Sequence, residues 1–448
     1  MQLLRRNPFI FFLLIVWLIR GKAYLKQQVA CRVHIYPAII PYQLEFLSYI
    51  KQEAQRKRPI YLATASDRQG AMLIADYLGL FDKILASDGQ RNLSGRAKLQ
   101  AIVEAASGGC FDYAGNARVD LPIWQQARQA ILVNPDPGVE RLARHKAQVV
   151  SVFKDRPQGI FLYLKAIRIH QWLKNLLLVV PLFVSHTWEN DTAYVYLLAA
   201  FVAFGLCASA TYIVNDLLDL SSDRQHPTKS RRPLARGDLP LRTGLALMVG
   251  LLAVGLLLAT LVSLEFLLVL VGYIVLTLSY SFFFKTFILV DVIFLAGLYT
   301  IRIIAGAVVI NVAASAWLLA YSMFLFLSLA MVKRCAELKT MEKKNKKRAS
   351  GRDYCLADFP ALMSMGVASG YLSILVLVLF IEEALTLGEY GSPRRLWLLC
   401  PPMIYWISRL WIKTLRGEMH DDPLVYSLRD RTSWVAFAAM VMIVIVAT

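Results

Sequence analysis

Asn215, Asp216, Asp219 and Asp223 set four oxygen-bearing side chains within nine residues, at the end of a strongly apolar stretch. On a helix, Asn215, Asp219 and Asp223 share one face, with Asp216 beside Asp219. Carboxylates gathered this closely repel one another, and a hard divalent cation relieves the repulsion. Mg2+ held by one or two carboxylates keeps water and substrate phosphate oxygens as its remaining ligands. Asp216, Asp219 and Asp223 are therefore candidate metal ligands and catalytic residues. Lys229, Arg231 and Arg232 follow in the same segment, where ammonium and bidentate guanidinium groups suit the same phosphates. The pattern points to Mg2+-assisted chemistry on a phosphorylated substrate. A plainer account, charges that mark a membrane boundary, explains one or two acids but poorly explains a carboxylate cluster followed by a basic one.

A second constellation follows at Lys285, Asp291, Tyr299 and Arg302. Tyr299 and Arg302 come eight and eleven residues after Asp291, which keeps all three on one helical face. An arginine inside an apolar span is costly and marks a functional site by default. Two further stretches carry polar groups beside apolar ones. One is Arg168, His170, Gln171, Trp172, Lys174 and Asn175; the other is Arg416, His420, Asp421, Asp422 and Pro423. Interfacial anchoring is the plainer account of the first, and a turn is the plainer account of the second.

These residues need elements to hold them, and the composition says which. The chain has 448 residues, 57% of them hydrophobic, and a mean hydropathy of +0.50. The apolar excess lies after about residue 160, in runs of about twenty residues that suit membrane-spanning helices. About nine spans are expected, at roughly 161–184, 193–214, 243–262, 265–284, 288–310, 313–332, 362–382, 395–412 and 433–447. Lys and Arg crowd the loops at 216–242 and 333–352, whereas 185–192 and 311–312 have none. The positive-inside bias therefore puts the N-terminal region and the acidic motif on the cytoplasmic side of a multi-pass inner (plasma) membrane protein. The net charge of +18, from 49 Lys+Arg against 31 Asp+Glu, is explained by topology and anionic lipid rather than nucleic acid. Six scattered cysteines suggest neither a disulfide framework nor a zinc site. The short apolar stretch from Phe9 to Ile19 reads as a buried or interfacial helix, with a signal anchor as the alternative.

The acidic motif resembles that of the UbiA superfamily of intramembrane transferases, matching at Asn215, Asp216, Asp219, Asp223, Arg232, Pro233 and Gly237. The resemblance covers residues 160–448. It implies nine helices around a lipid-facing cavity, with a diphosphate bound through Mg2+. Members that transfer prenyl groups usually carry a second aspartate pair four residues apart; here Asp291 is followed by Leu295. The arrangement of Lys285, Asp291, Tyr299 and Arg302 is similar to the branch that makes polyprenyl-phosphate phosphoribose. That branch implies phosphoribosyl pyrophosphate as the phosphorylated donor and a polyprenyl phosphate lipid, such as decaprenyl phosphate, as acceptor. Lys174, Asn175, Asn215, Lys229, Arg232, Lys285, Asp291, Tyr299 and Arg302 are then the expected substrate-binding residues. A prenyltransferase with an aromatic acceptor is the nearer alternative, and a transporter the more distant one.

Residues 1–155 form a separate α/β cytosolic region ahead of the all-α membrane domain at 156–448. Thr64, Lys98, Asn116 and Asp120 follow one another in an order that resembles the later motifs of haloacid-dehalogenase-type phosphatases. The resemblance implies that Thr64 and Lys98 hold a phosphoryl group while Asn116 and Asp120 face Mg2+. That family's nucleophilic aspartate lies upstream of these motifs, but the first aspartate here is Asp67. No phosphatase activity is expected from this chain, which reads either as carrying a remnant domain or as starting downstream of a longer one.

Overall fold

The computed structural model describes residues 10–106, 109–157, 159–185, 187, 189–226, 228–343, 353–387, 393–419 and 422–447. His420 and Asp421, and the basic residues of the 344–352 loop, lie outside them. The chain divides into two compact units. One comprises Met1–Ala166 and Asp216–Thr243, the other Ile167–Asn215 and Gly244–Thr448.

The first unit is α/β. Its N-terminus is a helical hairpin, α1 (Ile10–Ile19) and α2 (Lys22–Ala30). Strands β1 (Tyr61–Asp67) and β2 (Lys83–Ser87) pair in parallel, joined by the helix Arg68–Leu78. Asp67 caps that helix by accepting from the Gln69 amide at 2.9 Å, which satisfies one of the orphan donors of its first turn. A second parallel sheet runs in the order β3 (Asp112–Gly115), β4 (Gln129–Val133) and β5 (Val149–Phe153). Strands alternating with helices produce this parallel pairing. Ile102, Tyr113, Ile123, Trp124, Ala130 and Leu132 form the core, against which Ala63 of β1 and Leu85 of β2 pack.

The second unit is helical. The long helices are α3 (Asp191–Leu218), α4 (Leu241–Val262), α5 (Leu264–Phe282), α6 (Val290–Val309), α7 (Ala316–Glu342) and α8 (Phe359–Leu387). Each is long and apolar enough to cross a bilayer. Two bent pairs, Ile160–Ala166 with Ile169–Val184 and Pro423–Arg429 with Arg431–Ala447, raise the number of candidate spans from six to eight among the described residues. The expected nine therefore becomes six to eight. The stretch 395–412 starts as a 3-10 turn, Pro393–Leu399, and continues as a helix of only 16 residues, Cys400–Leu415. Pro401 and Pro402 sit at the start of that helix, where their missing N–H groups are tolerated. The expected first span, 161–184, is bent by 56°. Arg168 adopts a left-handed φ of 52° at the bend, and Ile169–Val179 continues as a 3-10 helix. Hydrophobicity alone reports the length of such a stretch and not its break.

Candidate active site

The acidic motif is not one helix. α3 ends at Leu218, and Asp219 is the N-cap residue of a separate short helix, Leu220–Gln225. The expected single face of Asn215, Asp219 and Asp223 is therefore broken at its middle residue. Arg232 joins the motif instead: its Nη1 donates to Asp216 Oδ1 at 3.0 Å and to Asp223 Oδ2 at 2.5 Å. Both carboxylates are buried, while Asp219 and Lys229 are half-buried. Burial raises the Asp223 carboxyl above its ordinary range; Arg232 opposes that and Asp216 adds to it. The Lys229 ammonium also lowers it.

Local sequence explains how Arg232 is aimed. Pro233 opens the turn of helix Pro233–Arg236, and Gly237 ends it at φ 84°. Proline at the first helical position and glycine just past the last one are the residue types those positions favour. Among the described residues, no three Asp, Glu, His or Cys side chains converge as a ready metal cluster. The donor set still fits Mg2+, because Asp216 and Asp223 are buried hard-oxygen ligands already drawn towards one shared cation.

In the helical unit a second cluster forms around α6. Arg302 is 3% exposed. Its Nε donates to Asn175 Oδ1 at 3.2 Å, one Nη to the Tyr273 hydroxyl at 3.1 Å, and the other Nη to the Leu298 carbonyl. Its guanidinium carbon also lies 5.1 Å from the Phe204 ring and 4.9 Å from the Tyr273 ring. Every one of these partners is neutral, and no carboxylate among the described residues pairs with Arg302. Asn175 is equally buried, and its Nδ2 has no hydrogen-bond partner. Nearby, Lys174 Nζ donates to Asp422 Oδ2 at 2.7 Å, and Lys333 Nζ reaches the same oxygen at 3.3 Å. The Tyr299 ring lies between two cations, 5.3 Å from Lys174 Nζ and 5.7 Å from the Arg302 guanidinium carbon. Burial acts to raise the Asp422 carboxyl, but the two ammonium groups outweigh it and hold Asp422 well below the ordinary carboxylate range. Among the described residues, three cations face one carboxylate, and the positive charge left over suits a phosphate.

The cluster is held by backbone packing. Trp172 Nε1 donates to Ser209 Oγ of α3 at 2.9 Å, and Ser209 in turn donates to the Ile167 carbonyl at 2.7 Å. A Cβ on Gly306 would collide with the Leu178 carbonyl, so only glycine lets α6 lie directly against the Ile169–Val179 backbone. Lys174 and Asn175 are thereby brought to Tyr299 and Arg302.

Asp291 is placed elsewhere. It shares a helical face with Arg302, but eleven residues of helix separate them by about 16 Å along the axis. Fully buried, Asp291 accepts from Arg334 Nε at 2.6 Å and from the Tyr354 hydroxyl at 2.5 Å. Arg334 also pairs with Glu337 at 2.6 Å. Asp291 is thus neutralised inside the fold and stands apart from the Lys174–Arg302 cluster. Lys333 and Arg334 looked like loop charges in the sequence, yet α7 runs on to Glu342 and carries both inward-reaching side chains. Lys285 is buried in the turn Phe284–Thr286 before α6. Asp422, Lys333, Tyr273, Arg334 and Tyr354 were not among the expected site residues. Of these, only Asp422 carried a sequence cue, the acidic pair before Pro423.

Six to eight candidate spans among the described residues, with buried charges between the helices, define a polytopic membrane protein. The chain belongs to the UbiA prenyltransferase family, whose model matches residues 176–445. It is 37% identical over 93% of its length to y4nM, an uncharacterized protein of Sinorhizobium fredii, of which it covers 81%. It is 33% identical to the nodulation protein NoeC of Azorhizobium caulinodans, over 62% of this chain and 91% of that one. It is also 31% identical to a decaprenyl-phosphate phosphoribosyltransferase of Mycolicibacterium smegmatis, over 62% of this chain and 89% of the relative.

Proposed function

We propose that this chain is a Mg2+-dependent transferase that moves a phosphoribosyl group from phosphoribosyl pyrophosphate to a polyprenyl phosphate, with its acidic motif at the cytoplasmic face of the inner membrane. The observation that carries this reading is Arg302, a buried guanidinium among neutral partners, beside two lysines that share one carboxylate. A bare prenyl diphosphate needs one anion site; a donor with a separate sugar phosphate, or a phosphorylated acceptor, needs a second. The 31% identity to a decaprenyl-phosphate phosphoribosyltransferase supports the same choice. So does the neutralisation of Asp291 by Arg334, which leaves that carboxylate no open charge for a second metal.

In this reading Asp216, Asp219 and Asp223 hold Mg2+, which offsets charge building on the departing pyrophosphate. Lys229, Arg232 and Lys285 bind phosphate oxygens. Lys174, Asn175, Tyr299 and Arg302 orient the second phosphate, with the Asn175 Nδ2 hydrogen as a donor in waiting. An acceptor phosphate oxygen forms the new bond to the anomeric carbon as the bond to pyrophosphate breaks. The nucleophile is already anionic at neutral pH, so positioning and electrostatics supply most of the rate. The N-terminal unit is read as a haloacid-dehalogenase-like domain without phosphatase activity, on its alternating parallel strands and the buried Lys98–Asp120 pair at 3.2 Å.

The deciding experiment gives purified protein and Mg2+ either phosphoribosyl pyrophosphate with a polyprenyl phosphate, or a prenyl diphosphate with 4-hydroxybenzoate. Lipid-linked phosphoribose with release of pyrophosphate is expected from the first pair. Product from the second pair alone would overturn the choice of donor.

A further inference from the structure

The N-terminal hairpin of the α/β unit exposes more apolar surface than a water-facing helix carries. In α1 every residue from Ile10 to Ile19 is apolar, so the helix has no polar face to turn outward. Phe12 is 65% exposed and Ile19 81%, with Leu13, Ile15, Val16 and Leu18 also open. Among the described side chains of α1, Trp17 alone is buried, under the Arg32 guanidinium at 4.9 Å. An apolar patch of this kind on a folded unit marks an interaction surface.

Its chemistry selects the partner. Residues 1–44 contain Arg5, Arg6, Arg20, Lys22, Lys26 and Arg32 and no aspartate or glutamate, six cations against no anion. Lys26 is spent inside the unit, on the Ala65 carbonyl and Asn92 Oδ1, but Arg20 and Lys22 are exposed at the end of α1. An apolar rod followed directly by exposed cations matches the layered chemistry of a leaflet, hydrocarbon beneath anionic headgroups. Length excludes spanning: ten residues of helix reach about 15 Å, half of the roughly 30 Å hydrocarbon core. Gly21, at φ 121°, then turns the chain back into α2.

We infer that α1 is an interfacial anchor that lies in one leaflet of an anionic membrane and tethers the α/β unit to the lipid surface. The anchor is independent of which group the enzyme transfers. Covalent linkage to the spanning helices keeps α1 at high local concentration near lipid, so a short helix suffices.

The test uses the full chain in nanodiscs of phosphatidylcholine with phosphatidylglycerol. Cys31, Cys110, Cys355 and Cys400 are replaced by serine, and bimane is attached at Ile15→Cys or, as a polar-surface control, at Arg91→Cys. Quenching of the Ile15 label by acyl-chain spin-labelled lipid, with protection from aqueous iodide, is expected; the Arg91 label should behave oppositely. Arg20→Glu with Lys22→Glu should restore iodide quenching at position 15, as should nanodiscs of phosphatidylcholine alone. Iodide quenching of the Ile15 label in the anionic discs would overturn the anchor. Protection from both quenchers would overturn it as well, because it would mean that protein covers the helix.

Discussion

Among single residues, the two clusters make opposite demands on stability and activity. Asn175 offers an unpartnered amide hydrogen beside a buried arginine that has no anionic partner among the described residues. Asn175→Asp replaces that amide with an isosteric carboxylate, giving Arg302 the counter-ion it lacks while repelling an incoming phosphate. The variant should keep its thermal midpoint while KM for the phosphorylated substrates rises by about tenfold or more, the size of a lost charge-assisted hydrogen bond. A lowered midpoint with unchanged KM would assign Asn175 to the fold alone. Asp219→Ala should abolish turnover without unfolding the protein, since Asp219 is half-buried at a helix break rather than in a packed core. Retained turnover would contradict its metal role. The acidic motif was legible because its members are close in sequence. Its actual geometry was not, because the break at Asp219 and the contacts of Asp216 and Asp223 with Arg232 leave no mark in the spacing.

Between elements, the pairings that organise the helical unit join residues far apart in the chain. Arg334 of α7 reaches Asp291 of α6, and Lys174 reaches Asp422. Sequence patterns report spacing along one helix, so they put Asp291 with Arg302 and left Arg334 in a loop. No periodicity rule says which buried acid will meet which buried base. Removing one member of a buried pair strands the other, at a cost of about 3–5 kcal/mol. Arg334→Met alone should therefore lower the thermal midpoint sharply. Adding Asp291→Leu should recover much of the loss, because no fully buried charge is then stranded and Glu337, the other partner of Arg334, reaches solvent. A double-mutant cycle in unfolding experiments measures this coupling; additive losses would show that the pair is not a unit.

For the whole molecule, hydrophobicity locates the membrane helices and the charge distribution supplies only an expected orientation. Apolar runs located most of the long helices, but they stopped well short of the end of α7 at Glu342 and missed the bend at Arg168 and the short helix that begins at Cys400. The Lys/Arg bias still gives an orientation that is open to direct test. Cysteine placed at Thr187 should react with a membrane-impermeant maleimide added to intact cells, whereas cysteine at Arg236 should react only after the membrane is opened. The reverse pattern would invert the topology. The α/β unit was legible as alternating strands and helices. The division of its sheet into two pieces was not, because strand order is decided by packing.

Gly306 turns the absence of a side chain into a measuring device. With no atom between α6 and the Leu178 carbonyl, the separation of the two backbones is fixed by atomic radii rather than by a compressible side chain. The gap between the groups on either side inherits that tolerance. One added methyl, Gly306→Ala, should act as a shim: the protein still spans the membrane, but Lys174 and Arg302 are spread apart and affinity for the phosphorylated substrates falls. Titrating those substrates against the variant reads the change directly, and unaltered affinity would show that the contact sets no calibration. On this expectation, one carbon atom added about one helical turn from Arg302 is enough to detune the site.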